Sequence, residues 1–423
     1  MVTSNTYNNV ANISERAMDN LFNNTSFSKR VNRDFDDTWN RGEGMAKQGN
    51  TYNVRIPPYM QYRSGAVASV NAYQDSFVPI VLLQGGADIR IQTAEKTLNV
   101  DAFYHNWIEP MVITTANQID IQGLALLKNL NQFTGTVGTP PATIQPILNA
   151  KNIIEKQSSG TLSSSLTAAL DGTQMANAVN GLTAYFNPTK EISENYKTGY
   201  LGNLAGIAET FTSANMPSYT TGNWTSSTPV YSSGASDAGA GSAGNTITTT
   251  GWASGASNLV AGDVFTISGV YAVNPVSKAV TNQLKCFTVT TPVSDTSGTI
   301  LMTFSPAMYL TGPYQNVNVL PSSGSNAIQM YGGNDGIAAK NTLAATQLTN
   351  SVIFHRDCFV LGMSNLDKPG GNVECVRRKD PKFGLNMRLT EWYDGTNDST
   401  LWRLDVLFGW NILRQGFGTR LIA

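Results

Sequence analysis

One stretch of the chain carries an apolar stripe that requires a long helix. Pro110 suits a first helical turn after Glu109. The apolar residues after it recur at steps of three, four and seven, as one face of a helix requires: Val112, Ala116, Ile119, Leu126, Leu127 and Leu130. Thr134–Gly135 and Pro140–Pro141 are predicted to end this helix. A shorter helix with the same pattern is predicted from about Ala142 to Gln157.

Most of the remaining chain alternates apolar and polar residues with period two, which predicts strands. The predicted strands are Thr51–Ile56, Phe77–Leu83, Ala87–Ile91, Leu182–Pro188, Ile207–Thr212, Gly262–Tyr271, Phe287–Val289, Ile300–Phe304, Ser351–Leu361, Val373–Arg378, Leu385–Leu389 and Trp402–Phe408. Gly85–Gly86 is predicted to turn the chain between two of them, and Asp394–Asp398 to form the turn of the last hairpin. Helices and strands in separate runs indicate an α+β fold.

The short strands between Gly262 and Phe304 are separated by turn residues. Their spacing predicts a small antiparallel barrel or sandwich, inserted between the helical part and the C-terminal strands. Ser226–Asn258, which precedes it, is low in complexity and rich in Ser, Gly, Ala and Thr. A flexible linker or surface loops are predicted there.

The composition excludes several classes of protein. Charged residues make up 13% of the 423 residues, about half the usual share. The formal net charge of −1 excludes a basic protein that coats nucleic acid along its whole chain. The 16 Phe, 16 Tyr and 7 Trp are too much aromatic surface for a disordered chain. Because Met1–Asn5 does not begin a signal peptide and no apolar run reaches the ~18 residues of a membrane span, we expect a soluble protein made inside the cell.

The residues that usually carry chemistry are few and scattered. Cys286, Cys358 and Cys375 are an odd number without C-x-x-C spacing. We therefore expect buried thiols rather than a disulfide framework or a zinc site. His105 and His355 belong to no metal-binding motif.

Local arrangements near the C-terminus leave some chemistry open. His355 and Asp357 share one face of a predicted strand, which permits a dyad, although a histidine hydrogen-bonded to its neighbour is the favoured interpretation. Asp394 and Asp398 permit a calcium site, although such residues are typical of a hairpin turn. Arg377–Lys379 is too short a basic run for a nucleic-acid platform. The sequence therefore predicts no catalytic residue, no metal site and no cofactor, and we expect the function to lie in surfaces.

Two N-terminal segments are suited to contact a partner. Residues 1–49 are polar and rich in Asn, with weak amphipathic character only around Ile13–Phe22, so this arm is expected to become ordered on assembly. Residues 50–96 are predicted to form a long hairpin whose tip holds too few apolar residues for a core. We predict that the tip contacts a neighbouring subunit through aromatic, Met and Arg side chains: Arg55, Tyr59, Met60, Tyr62, Arg63 and Tyr73.

Three local runs, in their order and spacing, resemble those of one family. Gly202–Gly206, with the sequence GNLAG, is similar to a G-x-x-A-G strand start that is followed by an Asn and a Pro. Val260–Pro275 resembles the run G-D-V-x-x-I-x-G-V-Y-x-V-N-P of an inserted domain. Asn350–Phe359 looks like a strand of the form N-hydrophobic-F-H-K-D-A-F, with Arg356 in place of Lys and Cys358 in place of Ala.

The family is that of the tailed-bacteriophage major capsid (coat) proteins, with the Hong Kong 97-like fold, and the chain looks most like the Salmonella podophage branch. The resemblance covers most of the chain from Asn50 onward. It implies an N-terminal arm (1–49), an extended hairpin (50–96), a peripheral domain with a long spine helix (97–140), an axial domain (141–224), an inserted β-barrel domain (225–330) and strands that complete the axial and peripheral domains (331–423).

The resemblance also implies a function. The chain would self-assemble through pentamers and hexamers into an icosahedral shell around packaged double-stranded DNA. Scaffolding and portal proteins would be partners, DNA would meet the inner face without sequence specificity, no membrane would be involved, and decoration proteins are left open. The subunit would assemble in the host cytoplasm and reside in the virion. The alternatives are a surface-array or other self-assembling structural protein and, with least support, an enzyme.

Overall fold

The structure, a computed structural model, describes residues 9–34, 49–56, 59, 65–66, 76–98, 104–158, 165–181, 206–225, 229–333, 337–340, 342–370, 373–379 and 385–423. Its α-helices are α1 (Asn9–Asn24), α2 (Thr93–Leu98), α3 (Glu109–Leu124), α4 (Gln145–Ser158) and α5 (Gly172–Gly181). Its strands are β1 (Thr51–Ile56), β2 (Ser76–Val81), β3 (Leu83–Gln92), β4 (Phe133–Gly135), β5 (Leu166–Leu170), β6 (Glu209–Thr212), β7 (Ser218–Thr220), β8 (Trp224–Thr225), β9 (Val230–Ser233), β10 (Thr246–Thr250), β11 (Asn258–Leu259), β12 (Val264–Val273), β13 (Val280–Val289), β14 (Val293–Ser294), β15 (Thr299–Ser305), β16 (Ile328–Met330), β17 (Thr342–Leu343), β18 (Gln347–His355), β19 (Phe359–Ser364), β20 (Glu374–Lys379), β21 (Asn386–Asp394), β22 (Ser399–Ile412) and β23 (Gly418–Ile422).

The chain divides into two compact units, and unit 1 comprises Met1–Val54, Phe77–Leu124 and Phe359–Ile412. The long strand β22 is the centre of its antiparallel sheet. Strand β3 pairs with one edge of β22, and β21 and β19 pair with the other edge. Strand β20 extends the sheet beside β21, and helices α1 and α3 pack against the sheet.

The spine helix predicted from the apolar stripe is α3. Val112, Ala116 and Ile119 are buried, as the stripe requires. A π-helical turn, Tyr104–Ile108, precedes the helix, and a 3-10 turn, Ala125–Asn129, follows it. Because these turns change the residue period, the regular α-helix is shorter than the stripe, and it ends at Leu124.

Gly85–Gly86 does not turn the chain, so that prediction was wrong. Both glycines lie inside β3, and the break between β2 and β3 falls at Leu82. A Cβ atom at Gly86 would lie 2.0 Å from the carbonyl oxygen of Leu404 on β22. Glycine is needed here for the close approach of two strands rather than for a turn.

The N-terminal arm also differs from its prediction. Helix α1 packs within unit 1, against α3 and β20, and its Ala17 and Leu21 are fully buried. Phe27, which follows the helix, is fully buried and stacks on Trp410 with ring centroids 5.5 Å apart. Order in this part of the arm therefore comes from contacts with the same chain and does not require assembly.

Unit 2 comprises Arg55–Ser76, Ala125–Cys358 and Leu413–Ala423. One of its sheets has the order β4-β23-β18-β5-β6, with β7 also paired to β18. The β4–β23 and β5–β6 pairs are parallel and the others are antiparallel. Helices α4 and α5 contribute Ile147, Ile154 and Met175 to a core that the sheet completes with Leu170 and Ile353.

A second sheet of unit 2 has the order β16-β12-β13-β15-β10-β9 and is antiparallel throughout. A bridge between Val230 and Ala327 brings its two edges together, so the sheet is nearly closed. Inside, Phe287 packs edge-on against Phe304 at 5.0 Å, and Phe265 lies 5.5 Å from Phe287. The predicted small barrel is confirmed.

Ser226–Asn258 was predicted to be a flexible linker or surface loops, but its described part, 229–258, belongs largely to the barrel. It contains β9 and β10 of the barrel, and Tyr231, Ile247 and Trp252 are buried. Alternating β-branched residues in β10 favour a strand, although the surrounding Ser and Gly lower the complexity of the segment.

The predicted strand Ser351–Leu361 is two strands, because a 3-10 turn at Arg356–Cys358 separates β18 from β19. The last strand, β23, was not predicted. The predicted strand Leu182–Pro188 lies outside the described residues.

Candidate assembly surfaces

Strands β1 and β2 form a two-stranded sheet, and one of the residues predicted to contact a neighbour, Arg55, lies on it. Arg55 is exposed on β1, and Tyr59, just beyond the strand, is half-buried. The other predicted contact residues lie outside the described residues: Met60, Tyr62, Arg63 and Tyr73.

The tip-side end of β1 is held by an arginine that sequence reasoning missed. The Arg414 Nη1 atom donates a hydrogen bond of 3.1 Å to the Tyr59 hydroxyl, and the guanidinium carbon lies 5.3 Å from the ring centroids of Tyr59 and Phe417. The Tyr314 hydroxyl donates to the Ile56 carbonyl oxygen at 3.0 Å. No local pattern could have revealed the pair, because Arg414 and Tyr59 are 355 residues apart in sequence.

An apolar stripe runs along the exposed side of β2 and the start of β3. Phe77, Val81 and Leu83 are 52%, 43% and 64% exposed, and Pro79 between them is also exposed. The alternate residues Ile80 and Leu82 are buried. A strand that is apolar on its solvent side as well as its core side is typical of an interaction surface.

The sheet of unit 1 carries a buried carboxylate network around Asp405, which is only 1% exposed. Arg388 Nη2, Arg403 Nε and Gln84 Nε2 donate to it at 2.6, 2.8 and 3.0 Å. Burial raises the pKa of Asp405, but these hydrogen bonds outweigh burial and hold the pKa below its usual value. The network is therefore structural, since its charges are already paired.

A second buried carboxylate, Asp120 of α3, holds the arm. Its oxygen atoms accept the backbone N–H groups of Ser26 at 2.7 Å, Phe27 at 3.0 Å and Ser28 at 3.0 Å, and also both serine hydroxyls. Asp120 is 2% exposed. Hydrogen bonds to the Asp120 carboxylate thus fix this part of the arm to the spine helix.

Asp263, at the start of β12, is fully buried in unit 2. It accepts hydrogen bonds from Val260 N at 2.8 Å, Gly222 N at 3.2 Å and the Tyr331 hydroxyl at 2.8 Å. Burial raises the pKa of Asp263 to about 6, against the lowering effect of these donors and of Arg420. A raised carboxyl pKa can mark an active site, but here the surrounding groups are two tyrosines and a buried arginine that hold the strands together.

The candidate dyad has no catalytic geometry. His355 Nδ1 lies 3.7 Å from Asp357 Oδ2 and accepts the backbone N–H of Asp357 at 3.2 Å, as the favoured interpretation expected. Burial lowers the pKa of His355 and raises that of the Cys358 thiol well above its usual value, so neither is activated as a charged group. The three cysteines form no disulfide; Cys286 and Cys358 are buried and Cys375 is half-buried.

The acidic pair of the last hairpin acts as turn residues. Asp394 accepts from Thr396 N at 3.1 Å and Asn397 Nδ2 at 2.7 Å, and Asp398 accepts from the Tyr393 hydroxyl at 2.7 Å. In the part of the chain that the structure describes, no three His, Cys, Asp or Glu side chains converge as metal ligands. Among the same residues, no helix is long and apolar enough to cross a membrane.

Comparisons with known proteins identify the family. Residues 150–422 match the family described as "P22 coat protein - gene protein 5". Among curated proteins, none matches. The chain is similar to solved structures from Mycobacterium phage Che8 (9% identity, 94% of this chain and 90% of that one, TM-score 0.45) and of the cyanophage P-SCSP1u capsid (11%, 94% and 87%, 0.43). It is also similar to the CUS-3 coat protein I-domain (24%, 26% and 93%, 0.18).

The family match spans more than half of the chain and agrees with the Salmonella podophage branch to which the local runs pointed. The members of the family are structural capsid proteins. The α+β Hong Kong 97-like fold with an inserted barrel is thereby confirmed. The chain belongs to the P22 coat protein family, and it is a major capsid protein that associates with its own copies to form a phage shell.

Proposed function

We propose that the exposed stripe on the hairpin is the surface through which one subunit lies on its neighbour in the shell. The observation that carries this proposal is the exposure of Phe77, Val81 and Leu83 beside the buried Ile80 and Leu82. Leaving three large apolar side chains in water costs free energy that burial against a second copy would recover, at about 25 cal/mol per Å². Arg55, Tyr59, Met60, Tyr62, Arg63 and Tyr73 would extend the same contact toward the hairpin tip.

The domain division belongs to the same proposal: an arm (1–49), a hairpin (50–96), a peripheral domain (97–140), an axial domain (141–224), an inserted barrel domain (225–330) and returning strands (331–423). In this proposal the hairpin reaches a neighbour while the other parts fold within the subunit.

The test is a double substitution, Phe77→Asp with Leu83→Asp. Both side chains are exposed, so the isolated subunit should keep its circular dichroism spectrum and sedimentation coefficient. Shell formation, followed by light scattering and electron microscopy, should fail, because two charges would be buried in every subunit contact.

The control is Gln92→Asp, which adds one negative charge, against two in the double variant, at an exposed position of β3 outside the stripe. Its shells should form normally. Normal shells from the double variant would contradict the proposal, and so would a double variant that fails to fold, since the stripe would then belong to the core. Deletion of residues 61–72 tests the tip in the same way: we expect a folded subunit that no longer assembles.

The remaining partners are proposed from the family. The shell would be icosahedral, built of pentamers and hexamers in the host cytoplasm with the help of scaffolding and portal proteins, and would enclose double-stranded DNA without sequence specificity. The net charge of −1 supports DNA contact that is confined to local patches rather than spread over the chain. Expression with and without a scaffolding protein, followed by electron microscopy, tests the assembly step: we expect uniform closed shells only with the scaffold.

A further inference from the structure

Unit 2 contains a cavity of about 180 Å³ beside the tip-side end of β1. Three segments that are distant in sequence supply its walls. The hairpin contributes Ile56 and Tyr59, the loops of the inserted barrel contribute Val273, Pro275, Pro313 and Tyr314, and the C-terminal turn contributes Arg414 and Phe417. The walls are therefore mainly aromatic, aliphatic and proline side chains.

The size of the cavity decides what class of molecule fits. A cavity of about 150 Å³ lined by apolar side chains accepts a benzene molecule. At about 180 Å³ this one has room for one aromatic ring and a small substituent. Tyr59 and Phe417 on its walls are suitable stacking partners for such a ring.

Two polar side chains without a full set of hydrogen-bond partners indicate which substituent the ring would carry. Gln157, at the end of α4, is 9% exposed and lines the cavity, yet its amide has no hydrogen-bond partner among the described residues. Arg414 uses Nη1 to hold the Tyr59 hydroxyl, and its Nε and Nη2 have no partner in the described part of the chain. A buried amide and a guanidinium edge, both able to donate, suit a carboxylate.

We propose that this cavity is a binding site for a small aromatic carboxylate, a single ring bearing one carboxylate group. The carboxylate would accept hydrogen bonds from Arg414 and Gln157, and the ring would lie among Tyr59, Phe417 and the proline side chains. Because Ile56 and Tyr59 form one wall, the bound molecule would also fix the tip-side end of β1 to the barrel loops. An apolar pocket with a few convergent polar groups is the usual form of a small-molecule site.

The experiment titrates the full-length subunit with benzoate and with 3-phenylpropionate, and follows binding by calorimetry and by ligand-observed NMR. We expect saturable binding of one molecule per subunit, with a dissociation constant of about 1 mM or tighter for the better probe. Benzyl alcohol, which keeps the ring but not the charge, should bind at least about tenfold more weakly.

Substitutions of the residues that line the cavity test whether the probe binds there. Arg414→Met keeps the length of the side chain and should weaken binding at least about tenfold, and Gln157→Met should weaken it at least about threefold. Arg356→Met, which removes an exposed arginine of unit 2 that does not line the cavity, should leave binding unchanged. Thermal melts of each variant establish that it is folded.

Two results would overturn the proposal. One is the absence of saturable binding of either probe at about 10 mM, which is tenfold above the expected dissociation constant. The other is binding that survives Arg414→Met and Gln157→Met unchanged, since the probe would then occupy another place. If Arg414→Met does not fold, Gln157→Met together with the benzyl alcohol comparison decides the question.

Discussion

The Asp120 carboxylate of the spine helix accepts the backbone N–H of Phe27 at 3.0 Å, across 93 residues of sequence. The two neighbouring N–H groups, of Ser26 and Ser28, point at the same carboxylate. Three successive backbone N–H groups that converge on one acceptor form an anion-binding turn, and here the acceptor is the Asp120 carboxylate of the same chain. This contact explains how residues 25–32 of the polar, Asn-rich arm are held by the same chain.

Asp120→Ala should release the arm. The substitution leaves buried N–H groups without an acceptor, which costs about 3 kcal/mol, since hydrogen bonds to a charged group are among the stronger ones. Hydrogen exchange of the isolated subunit should therefore be slow for residues 25–32 in the wild type and fast in the variant. Asp19→Ala removes an exposed acid of α1 and should change nothing. Equal protection in Asp120→Ala and the wild type would show that packing alone holds the arm.

Gly86→Ala should disrupt β3, whereas Gly85→Ala should be tolerated. A Cβ at Gly86 meets the Leu404 carbonyl oxygen at 2.0 Å, but a Cβ at Gly85 meets only Phe408 Cε1, at the ordinary distance of 3.6 Å. The first variant must separate β3 from β22, so we expect it to be insoluble or to melt at a much lower temperature. The adjacent glycine is the matched control. If both variants melt like the wild type, the strands do not approach this closely.

These glycines also show where prediction from sequence stops. Apolar periodicity located α3, the barrel strands β12, β13 and β15 and the last hairpin, because their burial repeats along the chain. A Gly-Gly pair usually predicts a turn. Here Gly86 instead makes room for the carbonyl of Leu404, which lies 318 residues later in the sequence and is brought close by the pairing of β3 with β22. Contacts of that range leave no local signal.

In the candidate surfaces, too, local patterns were predictable from sequence and long-range contacts were not. The sequence indicated that the hairpin carries a contact surface, since apolar residues occurred there without a core. It did not reveal Arg414 against Tyr59, Asp120 against Phe27, or Asp405 with its arginines. Each of these is a pair of ordinary residue types, and only the fold brings the two members together.

Asp405→Asn should destabilise unit 1. Removing one partner from a buried charge pair leaves Arg388 unpaired and costs about 3–5 kcal/mol. Because the pKa of Asp405 is lowered in the folded state, its contribution is present above the unfolded pKa of about 3.9 and is lost as the pH falls below that value. Urea melts from pH 7 to pH 3 measure both effects. Asp88→Asn, an exposed acid 3.7 Å from Arg403, should cost less than about 1 kcal/mol.

Asp263 should have the opposite pH dependence. Its folded pKa of about 6 exceeds the unfolded value, so its contribution is fully present below about pH 4 and is lost as the pH rises through about 6. The stability of the wild type relative to Asp263→Asn should therefore fall by about 2 kcal/mol between pH 4 and pH 7. Hydrogen exchange of β12 and β13 in the full-length subunit measures it. A difference that does not change with pH would mean that Asp263 titrates normally.

The inserted barrel should fold alone only if its closing strands are included. β8 and β17 pair where the chain enters and leaves the barrel, with Trp224 opposite Leu343. Trp224 is fully buried, stacks on Tyr331 at 6.0 Å and donates from Nε1 to the Lys340 carbonyl oxygen at 2.8 Å. The boundaries expected from sequence, 225–330, remove Trp224 and Tyr331, whereas a fragment of residues 222–344 keeps both.

We therefore expect the fragment 222–344 to unfold cooperatively, and the fragment 225–330 to melt at least about 10 °C lower or not to fold. Loss of a buried tryptophan costs about 3–5 kcal/mol, and each kcal/mol lowers the melting temperature of a domain of this size by several degrees. Circular dichroism melts of both fragments test this, and Trp224→Ala in the longer one should reproduce most of the difference. Equal melting temperatures would place the boundary inside β8 and β17 and make the Trp224–Tyr331 stack dispensable.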